Sequence, residues 1–251
     1  MKNLALVLSL FLSFSAVADD HAAANSYVVE SIPFSLNDGK TMDDMMALQD
    51  DFAAVAKASG LQYSAFIITP HHISQSSAPI SGSFDAVWLG FSPNATAIGT
   101  GLEAYMQNGQ ALEAKFDEIR TMNQRSLMRG EMVHTGEPSE DGFGMFRTCT
   151  LNDDAGLSDL RTALKARGAA FKKAGATAST HMWYGGIGIP NALQGAVIVA
   201  RIFPSIEAWG QGYDMYFAGD FSEENALLAK AASCGPVRTY IGTPFYVAAP
   251  G

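Results

Sequence analysis

Charge is scarce in this chain. Only 16% of its 251 residues are charged, and the 16 basic residues fall well short of the 25 acidic ones, for a formal charge of −9. Without clusters of Lys and Arg, binding to a nucleic-acid backbone is excluded, because phosphate contacts depend on them. Docking on anionic lipid is disfavoured for the same reason. Catalytic signatures are missing as well: there is no nucleophile elbow around a serine, no Cys/His pair and no zinc-ligand spacing. Gly99-x-Gly101 and Gly210-x-Gly212 lack the third glycine and the context of a dinucleotide loop. Beyond the amino terminus, no apolar stretch reaches transmembrane length without a charge, glycine or proline.

What is present begins with an export signal. Lys2 gives a positive start, residues 4–14 form an apolar run, and Ala16-Val17-Ala18 is a small-x-small cleavage site. That run is shorter than the about 20 residues that span a bilayer. Residues 1–18 are therefore expected to be removed. The product is a soluble protein from Asp19 with a formal charge of −10, in a bacterial periplasm or secreted, with no membrane association. In that compartment the only two cysteines, Cys149 and Cys234, either pair or stay as buried thiols. Closing a loop of that length would stabilise by roughly 4–5 kcal/mol on chain-entropy grounds.

The strongest signal is repetition. Ser35-Leu36-Asn37-Asp38 returns as Thr150-Leu151-Asn152-Asp153, 115 residues later, and residues 57–60 (KASG) return at the same offset as 172–175 (KKAG). Pro93-x3-Ala97-x-Gly99-x-Gly101-x-Glu103-x-Tyr105 returns as Pro204-x3-Ala208-x-Gly210-x-Gly212-x-Asp214-x-Tyr216 at an offset of 111. Two collinear matches with one loop-length change describe a duplicated supersecondary unit. Residues 19–134 form the first repeat, 135–142 a polar linker and 143–251 the second repeat.

Periodicity predicts the same order in each half. Strands are expected at 27–36, 63–69, 84–91 and 131–134, and again at 143–151, 177–184, 193–203 and 237–241. Helices are expected from 41 to 60, 94–106, 111–128, 157–173, 206–217 and 223–232. Thr41 with Asp44 reads as a capping box, and Gly60 as a helix stop. A polar hairpin spans 71–83. Each half thus reads β-α-β-β-α-β with an extra helix before its last strand, the ferredoxin-like order. The class is α+β: tandem duplicated ferredoxin-like units whose bare sheet faces are covered by packing the two sheets against each other.

This arrangement, with Pro204-Ser205-Ile206-Glu207-Ala208-Trp209 opening the second helix of its unit, resembles the dimeric α/β-barrel superfamily, its usual homodimer fused into one chain. A monomer with pseudo-dimeric halves is what the resemblance implies. It also implies that the last strand pairs antiparallel with the first strand of its own half, which would bring Cys149 and Cys234 together as a disulfide. A ligand cavity between sheet and helices is implied too. Members include cofactor-independent monooxygenases, haem-handling enzymes and proteins without known catalysis.

The histidines are His21, His71, His72, His134 and His181, none on a predicted helix. Haem-handling members commonly supply the iron ligand from a helix, so no haem is expected, nor any other cofactor. His71-His72 end a strand at a hairpin mouth. Neighbours on a regular strand point to opposite faces, so no shared metal is expected there. His181 and Trp183 share a strand face, and the repeat counterpart of His181 is Phe66. A polar residue in that apolar slot is either a satisfied core histidine or a base in a cavity. Arg147 and Arg201 also fall within strands; either they point to solvent or pair with acids, or, facing inward, they would favour an anionic ligand group. The ligand-contact candidates are His181, Trp183, Tyr184, His71 and Arg201. Two functions fit: an exported, non-catalytic binder of a small apolar or aromatic ligand in a sheet–helix cavity, or a cofactor-independent monooxygenase or isomerase with His181, Trp183 and Tyr184 at its site. No catalytic residue is assigned by sequence.

Overall fold

The computed structural model describes residues 26–73, 84–138 and 142–248. The first half runs β1 (Ser26–Leu36), α1 (Met42–Met46), α2 (Gln49–Ala58), β2 (Ser64–Pro70), β3 (Ala86–Ser92), α3 (Ala95–Asn108), α4 (Gln110–Ile119), β4 (Arg120–Met122) and β5 (Ser126–His134). The second runs β6 (Gly142–Leu151), α5 (Leu157–Lys173), β7 (Ser179–Ile187), β8 (Ala196–Phe203), α6 (Ile206–Ala218), α7 (Ser222–Ala231), β9 (Ala232–Cys234) and β10 (Arg238–Tyr246). Local chemistry sets the helix starts. Thr41 and Asp44 form the expected capping box on α1. Asn94 accepts from the Ala97 amide on α3, as Ser205 does from the Ala208 amide on α6.

The sequence repeat is a repeat of register. Ile32 faces Trp88 across β1 and β3, and Arg147 faces Val199 across β6 and β8, each pair related by the two sequence offsets. Ala65 faces Gly90 and Thr180 faces Arg201 in the same way. The repeated asparagines do one job twice. Asn37 donates its side-chain amide to the Asp117 carbonyl of α4, and Asn152 to the Ala229 and Lys230 carbonyls of α7, tying off the helix that precedes the last strands.

Eight strands close into one barrel, in the order β10-β2-β3-β1-β5-β7-β8-β6, with β6 returning to β10. The two sheets are therefore not stacked as separate layers. They join edge to edge at two antiparallel seams, β5 with β7 and β2 with β10. Alternation along each strand then sorts side chains. Val29, Val87, Leu89, Met128, Phe146, Trp183 and Tyr240 fill the interior, which in an eight-stranded barrel is narrow enough for side chains to occupy. The outer face is covered by helices, through Phe34, Ile67 and Trp88 in the first half and Met182, Val197 and Val199 in the second.

Some sequence expectations fail near residue 120. The helix predicted for 111–128 stops at Ile119, and the strand expected at 131–134 begins at Ser126, preceded by β4. Arg120–Met122 pairs with the end of β1, and β5 with its beginning, so sheet pairing overrides a weak helical pattern. β10 likewise runs to Tyr246 because β2 pairs along it. Of the glycine pair in α3, only Gly101 is tightly packed: a Cβ there would meet Leu61 Cδ1 at 2.4 Å, whereas Gly99 faces open space. The segment expected to be an export signal and most of the expected 71–83 hairpin lie outside the described residues.

Cys149 and Cys234 stand directly opposite each other across β6 and β9 and form a disulfide, with Cα atoms 4.0 Å apart. The equivalent pair in the first half is Phe34 with Met122. With a sequence separation of 85 between the cysteines, changing both to alanine is expected to lower the unfolding free energy by roughly 4 kcal/mol in urea titration. A loss below about 1 kcal/mol would mean that the bridge constrains the unfolded chain little.

Candidate functional site

Beneath α5 the second half leaves a narrow cleft of about 40 Å³ that opens to solvent. The outer faces of β6, β7 and β8 form its floor and α5 its roof, with Leu228 of α7 at one side. Three arginines converge on it: Arg147 from β6, Arg201 from β8 and Arg167 from α5. Register places the first two diagonally, since Met145 faces Arg201 and Arg147 faces Val199. The Arg201 guanidinium carbon lies 4.2 Å from the centroid of the Phe171 ring, and that of Arg167 lies 5.3 Å from it. Phe171 in turn stacks on Phe221 at 4.4 Å.

None of the three forms an ion pair among the described residues, and the Glu224 carboxylate acts on Arg167 only at longer range. Ion pairs among the described residues lie elsewhere, at Arg125–Glu30, Arg161–Glu131 and Lys115–Asp51, and the Arg167 Nε–H is buried without a partner. Burial, followed by the charges of Arg167 and Arg147, pushes the Arg201 guanidinium down to about 9. It stays charged at neutral pH beside two like charges.

The first half serves as an internal control. In the places of Arg147, Arg167 and Arg201 it has Ile32, Phe52 and Gly90. The Phe52 ring sits among those of Tyr63, Trp88, Tyr105, Phe116 and Phe245 at 5.2–6.4 Å. Tyr63 fills the space in front of Gly90, where a Cβ would meet its hydroxyl at 1.6 Å; its counterpart in the second half is Ala178. Acids accompany the cations in this half: Glu30 accepts from Arg125 at 2.7 Å and from Tyr63 at 2.6 Å, Tyr105 donates to Glu113 at 2.7 Å, and the buried Arg120, with Nε and Nη1 unbonded, lies over Phe116 at 4.6 Å and feels the Glu113 charge. The second half has exchanged aromatic filling for cations, while the first keeps a cleft of similar volume between Phe52, Trp88, Tyr105 and Arg120. Arg167 carries no sequence signal by itself, but the 115-residue offset aligns it with Phe52 and so distinguishes it.

Only two of the other candidates come together. His181 and Trp183 meet Tyr27 inside the barrel. Trp183 Nε1–H donates to the Tyr27 oxygen at 2.9 Å, the Tyr27 hydroxyl is bonded to His181 Nδ1 at 2.7 Å and Ser179 Oγ to His181 Nε2 at 2.9 Å, with the donor in the last two set by the imidazole tautomer. Both imidazole nitrogens are therefore engaged. Tyr184 does not join them. As the next residue on β7 it points to the opposite face and donates to Glu131 at 3.3 Å. Arg201 belongs to the cationic cleft, and His71 lies exposed beyond β2 against His72.

The superfamily resemblance seen in the sequence, which takes in haem-handling enzymes, raises the question of an iron site. The cleft lining contains no imidazole or phenolate, its two cysteines are bonded to each other, and Met145 is its one other sulfur. Among the described residues every histidine lies on a strand or just past one. The lining does not fit an iron held from a helix.

Burial pushes the His181 imidazole from 6.5 down to about 4. Because the folded value is depressed, the unfolded chain binds a proton first. The contribution is whole above about pH 6.5 and is lost as pH falls from there towards 4, by about 3 kcal/mol at most. In urea titrations across that window, His181→Phe, which installs the first half's residue, is expected to remove this component of the acid limb. An unchanged pH dependence would show that His181 is not its source.

No protein-family model and no curated protein sequence matches this chain. Solved structures match in shape. An anthrone oxidase-like protein aligns with a TM-score of 0.52 at 13% identity, covering 88% of this chain and 91% of that one. A candidate monooxygenase from Fusobacterium nucleatum subsp. nucleatum gives 0.55 at 8% identity, with 90% and 95% covered. A mutant chlorite dismutase from Candidatus Nitrospira defluvii gives 0.51 at 8%, with 87% and 92% covered. At such identities the likeness is one of fold, not of chemistry. The chain has the dimeric α/β-barrel fold, with both halves of the barrel carried on a single polypeptide.

Proposed function

We propose that this is an exported, non-catalytic protein that binds a small amphipathic anion in the cleft of its second half. The observation that carries this reading is the set of three unpaired arginines around one cavity, at positions that are apolar or empty of side chain in the other half. Burying cations without counter-charge costs stability, and apolar residues in their place are commonly neutral or stabilising. A half that only had to pack would keep the aromatic filling seen in the first. A carboxylate or phosphate entering the cleft would find paired guanidinium donors in a partly desolvated setting, where each bond is strengthened. Leu164, Val199 and Leu228 offer the apolar body of such a ligand a wall. The expected apolar or aromatic ligand is thereby narrowed to one with an anionic end.

An oxygenase or isomerase centred on His181 has less support, since neither imidazole nitrogen is free and Tyr184 faces away. Export rests on the amino-terminal signal. The disulfide is compatible with it, and among the described residues no helix is long and apolar enough to cross a membrane. Fusion of the two halves supports a monomer.

The test uses two readouts of opposite sign. Arg201→Met, and separately Arg167→Met, are expected to weaken binding of an aromatic carboxylate or organic phosphate about tenfold, the loss of one charge-assisted bond. The same changes should raise the unfolding free energy by about 1 kcal/mol or more by relieving repulsion. Native mass spectrometry of protein from a periplasmic extract would identify the ligand. If the variants lose stability and leave binding unchanged, the arginines are structural and the reading fails.

A further inference from the structure

We propose a second, independent site at the end of β2, where His71 and His72 hold a divalent transition-metal ion of the Cu(II) class. On a regular strand adjacent side chains diverge, but β2 ends at Pro70 and the two histidines lie just past it. Their backbone is clamped to a single residue of β10. The His71 amide donates to the Thr239 carbonyl at 2.9 Å, the His72 amide to Thr239 Oγ1 at 2.9 Å, and the Thr239 amide to the His72 carbonyl at 3.0 Å. The rings are held as well. That of His71 stands edge-on to Phe143 at 5.4 Å, and that of His72 lies nearly parallel to Trp209 at 6.1 Å.

The outcome is that the two Nδ1 atoms lie 2.9 Å apart. Two nitrogen ligands at roughly 2.0–2.1 Å from an ion are about 2.9 Å apart when they subtend a right angle, and about 3.3–3.4 Å apart at the tetrahedral angle. The spacing therefore suits a cis pair in a square or tetragonal site, the geometry of Cu(II) and Ni(II), better than a zinc site. Imidazole donors and the general affinity order put Cu(II) first. Thr239 Oγ1, 3.3 Å from His72 Nδ1, supplies a neighbouring oxygen. Among the described residues no third His, Cys, Asp or Glu side chain joins this pair to hold an ion. Both residues are exposed, so the ion keeps much of its hydration.

Trp209 makes the site observable, because bound Cu(II) quenches a nearby indole, and Trp88 and Trp183 are buried elsewhere. The full chain is titrated with Cu(II) in a non-coordinating buffer and followed by tryptophan emission and by electron paramagnetic resonance. One equivalent is expected to give a saturable quench and a tetragonal copper spectrum with nitrogen ligands, with Zn(II) competing weakly. His71→Ala and His72→Ala should each weaken binding about tenfold or more, the range in which a site's supporting groups act. Trp209→Phe should abolish the quench and keep the copper spectrum, and Arg201→Met should change neither. Binding that survives both histidine substitutions overturns the proposal. So does copper lost only with His21→Ala, which would assign it to the amino-terminal segment. Circular dichroism of the variants separates loss of metal from loss of fold.

Discussion

A four-stranded sheet with helices on one side has two raw edges and one bare apolar face, and closure of the barrel removes both problems together. Closure works in only one register, because a shift of one residue on a strand sends every side chain to the opposite face. The two seams share that register: Glu131 faces Met182 where β5 meets β7, and Thr243 faces Ile67 where β10 meets β2. Even the irregularity is repeated, between Met132 and His134 in one seam and between Pro244 and Tyr246 in the other. Bulges bend and twist the strand that carries them, so this matched pair bends both seams at the same place, while the β5–β7 seam has a further irregularity between Leu127 and Arg129. Once the seams are set, inward and outward positions are assigned for the whole chain.

Within this common frame the two halves are stabilised differently. The first packs aromatic rings around Phe52 and balances Glu30 against Arg125. The second places Arg167 where Phe52 would be and adds Arg147 and Arg201 without acids. It has also placed a covalent brace beside its cleft, since Cys149 and Cys234 border it and stand where Phe34 and Met122 meet in the first half. A cross-link that constrains the unfolded chain offsets the packing given up and the repulsion taken on. Local rules broken in one half and kept in the other mark where function has displaced packing.

How much of this was legible depended on whether the relevant signal was local. The repeat, the strand alternation and the capping box are all local, and they carried the βαββαβ order and the cysteine pairing implied by it. Residues 120–128 misled because their helical pattern is outweighed by pairing with β1, a contact made across the fold. His181 was visible as a polar residue in the slot of Phe66, but its partner Tyr27 lies 154 positions away and meets it only when the barrel closes. Arg201 was visible because a strand position facing helices rarely carries a charge. Arg167 was not, because an arginine on an amphipathic helix is unremarkable until the repeat sets it beside Phe52. The divergence expected of His71 and His72 assumed a strand that in fact ends at Pro70.

Fusion explains how such asymmetry is tolerated. In a homodimer of identical halves, a change that puts arginine at the position of Arg201 would appear in both, and six cations without ion pairs would face two clefts. A single chain confines the cost to one half. The first half can then keep Phe52 in contact with Trp88, Phe116 and Phe245, rings whose burial contributes about 1.5–3 kcal/mol each. Through the shared seams, that stability reaches the second half, because β5 and β2 cannot stay paired to β7 and β10 if either half unfolds alone. The well-packed half is therefore a scaffold for the other, and the cationic cleft can persist there because stability and site are divided between two copies of one unit.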